Sequence, residues 1–68
     1  MKHEVNISRS DLTTVIDEWI LNERNRNILK RRLIDGITYE SLAEEFDLST
    51  WQVKHICYKE IDHIKKHI

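Results

Sequence analysis

With 68 residues, the chain has room for one domain and one modest core. Its 40% hydrophobic and 34% charged content is that of a folded protein, not a disordered one, and no apolar run approaches the roughly 20 residues that span a bilayer. The formal net charge of −1 runs against the strongly basic character common in nucleic-acid-binding domains, so any such role has to rest on where the charge sits.

The absence of Pro and the single Gly36 leave few helix breakers, which makes an all-α domain the expected class. The lone Cys57 excludes an internal disulfide framework and suits a reducing cytoplasm. The opening MKHEVNISRS has no apolar stretch of the kind a secretory signal needs. Residues 1–9 are therefore expected to form a polar, flexible tail.

Four helices are predicted in one domain, 1–68. The first runs from Asp11 to Leu21 with Ser10 as its cap, and Leu12, Val15, Ile16, Trp19 and Ile20 form one apolar stripe at helical spacing. The second runs from Glu23 to Ile34 after the capping residue Asn22. Ile28, Leu29 and Leu33, with Leu21 just ahead, give it an apolar edge, and Gly36 stops it in the left-handed conformation. The third is short, Tyr39 to Phe46, capped by Thr38. Its Leu42 and Phe46 face inward with Ile37 and Leu48, and Ala43 is small where another helix must approach. The fourth and longest runs from Thr50 to His67. Ser49 and Gln52 can form a capping box at its start, and Val53, Ile56, Cys57, Ile61, Ile64 and Ile68 make its inward stripe.

Charge is distributed unevenly along these elements. Residues 1–21 carry Lys2 and Arg9 against Glu4, Asp11, Asp17 and Glu18, a net −2. Residues 22–36 carry Arg24, Arg26, Lys30, Arg31 and Arg32 against Glu23 and Asp35, a net +3. Residues 37–49 hold Glu40, Glu44, Glu45 and Asp47 with no cation, a net −4. Residues 50–68 hold Lys54, Lys59, Lys65 and Lys66 against Glu60 and Asp62, a net +2. A neutral molecule can carry a basic face in this way.

Two short helices joined by a tight turn at Asp47-Leu48 have the grammar of a helix-turn-helix, a unit whose usual work is to place its second helix in the major groove of DNA. At 100° per residue, Trp51, His55, Tyr58 and Asp62 lie opposite the inward stripe of the fourth helix, flanked by Thr50, Lys54 and Lys59. Aromatic rings on a solvent face point to a partner surface. On DNA, Lys54 and Lys59 would meet phosphate or guanine, Gln52 and His55 base edges, and Trp51 thymine methyls or sugars. The Arg24, Arg26, Lys30, Arg31 and Arg32 group either grips flanking phosphates or forms a solvated face.

Residues 21–68 resemble the fourth conserved region of the sigma-70 family of RNA polymerase sigma factors, and are similar to related domains in response regulators and phage regulators. The resemblance is carried in order by Glu23-Arg24 with Ile28-Leu29, by Asp35-Gly36 and Thr38-Tyr39-Glu40, by Leu42-Ala43-Glu44-Glu45 and Leu48-Ser49, and by Val53-Lys54, Ile56, Lys59 and Ile61. It implies a helix-turn-helix fold and binding of duplex DNA, with Thr50, Trp51, Lys54 and His55 reading bases. It also places the arginine-rich second helix near the DNA backbone. Thr50-Trp51 stands where the family commonly has arginine and glutamate, which points away from the promoter element the family usually reads. Asp47 stands where the family usually has Gly. The other sigma regions are not in these 68 residues, so promoter melting is not expected of them.

The remaining constellations point to no chemistry. His63 and His67 are spaced i, i+4 on a helix, but no Cys or Glu completes a metal set. Cys57 falls on the inward stripe with nothing placed to activate it. There are no paired catalytic carboxylates, no Gly-rich phosphate loop and no Ser-His-Asp set, so neither an enzyme nor a cofactor is expected. The expected function is sequence-specific binding of double-stranded DNA in transcription regulation, of a kind suited to a phage or mobile element. Its expected DNA-binding residues are Thr50, Trp51, Gln52, Lys54, His55, Tyr58, Lys59, Arg24, Arg26, Arg31 and Arg32. One such module buries little surface, so a homodimer or a second protein is the expected partner on DNA. The alternative is a protein-interaction module of the same fold that binds RNA polymerase or another nucleic-acid-processing protein without reading DNA.

Overall fold

Residues 9–66 are described by the computed structural model, which is all-helical over that range. The helices are α1 (Arg9–Trp19), α2 (Glu23–Leu33), α3 (Tyr39–Phe46) and α4 (Thr50–Lys65). No helix among the described residues is long and apolar enough to cross a membrane. Residues 1–8 of the expected tail, and the expected end of the last helix at His67 with Ile68, lie outside the described residues.

Three of the four helix starts are set by caps. Asn22 adopts an extended conformation and its side chain accepts from the Asn25 N–H. Thr38 does the same for Ser41 at the head of α3. Ser49 and Gln52 form the full capping box, with the Ser49 hydroxyl accepting from the Gln52 N–H at 3.1 Å and the Ser49 N–H donating to Gln52 Oε1 at 2.9 Å. Each cap satisfies a backbone N–H that the first turn of a helix leaves without a carbonyl partner.

The first helix departs from expectation at both ends. It begins at Arg9, so Ser10 lies inside the first turn, and its carbonyl accepts from Thr14 Oγ1 at 3.0 Å. It stops at Trp19 although no Gly or Pro follows, because Asn22 must leave helical geometry to cap α2. Leu21 is caught in that turn and stands 85% exposed instead of lining the core.

The two inter-helix turns rest on left-handed residues. Gly36 has φ +71° between α2 and α3, and the Ile37 N–H reaches back to the Arg31 carbonyl at 3.1 Å. Asp47 takes φ 58° and ψ 47° after α3, doing with a short polar side chain what Gly does without one. The Leu48 N–H closes that turn on the Ala43 carbonyl at 2.8 Å.

α2 and α4 each pack on all the other helices, whereas α1 and α3 do not touch. Every helix feeds the core. Ile16 and Ile20 enter from α1 and its end, Ile28 and Leu29 from α2, Leu42 and Ala43 from α3, and Val53, Cys57 and Ile64 from α4. Leu12, Val15, Ile37, Tyr39, Phe46, Leu48, Ile56 and Ile61 ring that cluster. Trp19, at the edge of the α1 stripe, is 41% exposed. Leu33 is likewise at the surface.

Candidate nucleic-acid interface

The inward stripe of α4 leaves one long face to solvent, and from Thr50 to Lys59 the helix carries no carboxylate. Trp51 is 70% exposed and Tyr58 61%. The Trp51 indole stacks on the His55 imidazole one turn later, with ring centroids 5.1 Å apart and planes 8° from parallel. The two rings therefore present one flat aromatic step beside Lys54. Thr50 is half-buried at the head of the helix.

On one flank, α3 contributes Tyr39. Its ring meets Tyr58 edge-on at 6.5 Å. The Arg32 guanidinium sits 4.2 Å over it and the Lys54 ammonium 5.7 Å away. An aromatic face attracts cations in this range, so Tyr39 links the end of α2 to the exposed face of α4.

On the other flank a shallow groove opens between the start of α2 and α4. It is lined by Arg24, Trp51, Gln52, His55 and Lys59, with Leu48, Ile56 and Asn25 alongside. Arg24 and Lys59 are both exposed, so this groove is positively charged and has an aromatic wall.

The remaining predicted cations are placed elsewhere. Arg26 donates to the Ile20 carbonyl at 3.2 Å and approaches Asp17 of α1 at 3.7 Å. Arg31 pairs with Glu45 of α3 at 2.9 Å and with Asp35 at 3.5 Å, on a surface shared with Asn27 and Phe46 and not with α4. The hydrogen bond to Glu45 and that residue's charge hold the Arg31 guanidinium above its ordinary pKa. Arg32 stands near the α4 face, but its Nη1 donates to the Ile37 carbonyl at 3.0 Å and its guanidinium sits over the Tyr39 ring. Of the α2 arginines expected at a DNA backbone, only Arg24 joins the groove beside Trp51.

Gln52 carries a further constraint. Its Oε1 accepts from the Ser49 N–H, which uses one of the oxygen's two lone pairs and fixes the orientation of the amide. The two-point contact of a Gln with adenine needs both ends of the amide, so while Gln52 caps α4 it can make that pair only in the orientation the cap sets and through the second lone pair of Oε1.

Two contributors, Asn25 and Tyr39, were absent from the predicted set. Asn25 is buried, with 6% exposure. It stands three and four residues before Ile28 and Leu29, in phase with the apolar stripe, so helical spacing alone carried the signal for its burial. Tyr39 gave no comparable sign, since its role depends on where α4 and the end of α2 come to rest.

Cys57 is a core residue. Burial pushes its thiol pKa up, partly countered by the positive charge of Arg32. Among the described residues no group of three His, Cys, Asp or Glu stands ready to hold a metal ion, and His67 of the His63–His67 pair lies outside them. No protein-family model, curated protein or solved structure matches the chain.

Proposed function

We propose that this chain binds double-stranded DNA through a sigma region 4-like helix-turn-helix made by α3 and α4, as a cytoplasmic transcription regulator of a phage or mobile element, and that it is not an enzyme. The observation that carries the reading is the α4 face from Thr50 to Lys59. It is free of carboxylates, aromatic at Trp51, His55 and Tyr58, and cationic at Lys54 and Lys59, with Arg24 standing at its flank. An α-helix of this kind fits the major groove of B-DNA, where Lys can donate to guanine and an apolar ring can pack on a thymine methyl.

The contacts divide by task. Lys59 and Arg24, at the flank, would neutralise phosphates and set the register. Lys54, Thr50, His55 and the free amide nitrogen of Gln52 would meet base edges, and Trp51 would supply apolar contact. The acidic exposed side of α3, with Glu40 and Glu44, would be kept away from the duplex. Useful affinity from so small a surface requires a second copy or a second protein on the DNA.

The test is a titration of the chain against random and selected duplexes over a range of salt. Binding that is strong at low salt and falls steeply as salt rises supports the reading, because each neutralised phosphate releases counterions. No binding at low salt would sink it. The exposure of Trp51 (70%) and Tyr58 (61%) favours a second reading, a protein-interaction module that docks on RNA polymerase or a related protein through this same face. Partner binding that hardly responds to salt, without duplex binding, is the result that reading expects.

A further inference from the structure

Asn25 is the buried polar residue among the described residues, and both polar atoms of its side chain are engaged. Its Nδ2 donates to Glu60 Oε2 of α4 at 2.9 Å. Its Oδ1 accepts from Arg24 Nε at 3.2 Å and from Arg24 Nη2 at 3.1 Å. The amide can face only one way, because an ionised carboxylate only accepts and a guanidinium only donates. Glu60 thereby turns the Asn25 oxygen toward Arg24. The arginine folds along that oxygen at the edge of the groove that also holds Trp51 and Lys59. Its Nη1 makes no hydrogen bond among the described residues, so that edge of the guanidinium remains available.

We propose that Asn25 and Glu60 are positioning residues that hold the Arg24 guanidinium set for a backbone phosphate beside the α4 reading face. The inference rests on the DNA reading above. A long flexible cation loses side-chain freedom when it grips a phosphate, and ordering it in the free protein removes part of that cost from binding. The expected effect runs opposite to simple charge counting. Glu60 is an acid close to a DNA surface, so removing its charge alone should tighten binding, whereas removing the hydrogen bond should loosen it.

The experiment compares Glu60→Gln with Glu60→Ala, each alone and combined with Arg24→Ala, in salt titrations with one duplex. Thermal melts establish that every variant is folded. Glu60→Gln keeps an acceptor for Asn25 and loses the charge, and is expected to bind at least as tightly as the parent chain. Glu60→Ala is expected to bind about two- to tenfold more weakly than Glu60→Gln, the ordering cost of one long side chain. That difference is expected to vanish when Arg24 is Ala. Equal or tighter binding by Glu60→Ala would overturn the proposal, as would a difference that survives the loss of Arg24. The Arg24 Nε–H signal in nitrogen-15 NMR gives a reading independent of DNA, with slower hydrogen exchange expected in Glu60→Gln than in Glu60→Ala. Equal exchange would overturn the hold itself. Failure of the parent chain to bind duplex would instead remove the DNA reading and the phosphate role, whatever the Arg24 signal does.

Discussion

The cations of α2 and those of α4 use the same charge for different ends. In α2, Lys30 reaches Asp17 of α1 at 2.6 Å, Arg26 approaches the same carboxylate, and Arg31 is paired with Glu45 of α3. These side chains fasten the two helices that do not touch each other onto the one between them. In α4, Lys54 and Lys59 have no carboxylate partner among the described residues, and from Thr50 to Lys59 their helix has none to offer. The more basic stretch of the sequence is therefore the less available one. A segment's net charge measures what it carries, and only the folded structure shows how much of that is left for a partner. Arg24 and Arg32 are the exceptions in α2: Arg24 is held by a neutral amide and Arg32 by a carbonyl and the Tyr39 ring, which leaves both charges uncancelled.

Removing the scaffold under both groups should have the largest effect. Leu42 is fully buried in α3, against the core that all the helices share. Leu42→Ala should cost about 2–5 kcal/mol in urea unfolding. That is comparable with the roughly 3–5 kcal/mol a core of this size supplies, so α2 and α4 should come apart together. Loss of one group's function with the other intact would show that the helices are more independent than the shared core implies.

A smaller effect is expected from Cys57, which sits in that core beneath the α4 face. With its thiol pKa raised by burial, the contribution to stability is fully present below the ordinary thiol value and is lost as pH rises from there through the raised one. Urea midpoints should hold level from about pH 7 to about pH 8 and then decline. The native thiol should resist thiol reagents that label it at once in the unfolded chain. A thiol that reacts freely in the folded state would mean that α4 opens locally and does not hold its outward face in one arrangement.

What could be read in the sequence and what could not divide by range. Asn22, Thr38 and Ser49 were legible as caps because each bonds a residue three positions on. Asp47 was legible as a turn residue, and the structure gives it a left-handed backbone. Helical spacing placed Ile28 and Leu29 of α2 and Val53, Cys57 and Ile64 of α4 in the core, with Ile56 and Ile61 at its edge, whereas Leu33 stands at the surface and Ile68 lies outside the described residues. The start of α1 was misjudged because a serine favours a cap without requiring one, and Arg9 and Ser10 extend the helix instead. The destinations of the arginines were not legible, since Arg31 meets Glu45 across 14 positions of sequence and Asn25 meets Glu60 across 35. Gln52 was expected both to cap α4 and to read a base, and the cap fixes the one orientation in which its amide could do the second.

The most direct test of the contrast between the two helices uses one lysine from each. Lys30→Ala and Lys54→Ala make the same chemical change, and both are read by duplex affinity against salt and by urea unfolding. Lys54→Ala is predicted to lower the salt slope by about one unit with little change in stability. Lys30→Ala is predicted to leave the slope alone and to cost up to about 1 kcal/mol of stability, the range of a partly exposed ion pair. Equal slopes for Lys54→Ala and the parent chain, or a slope lowered as much by Lys30→Ala, would contradict the division of charge between fold and partner.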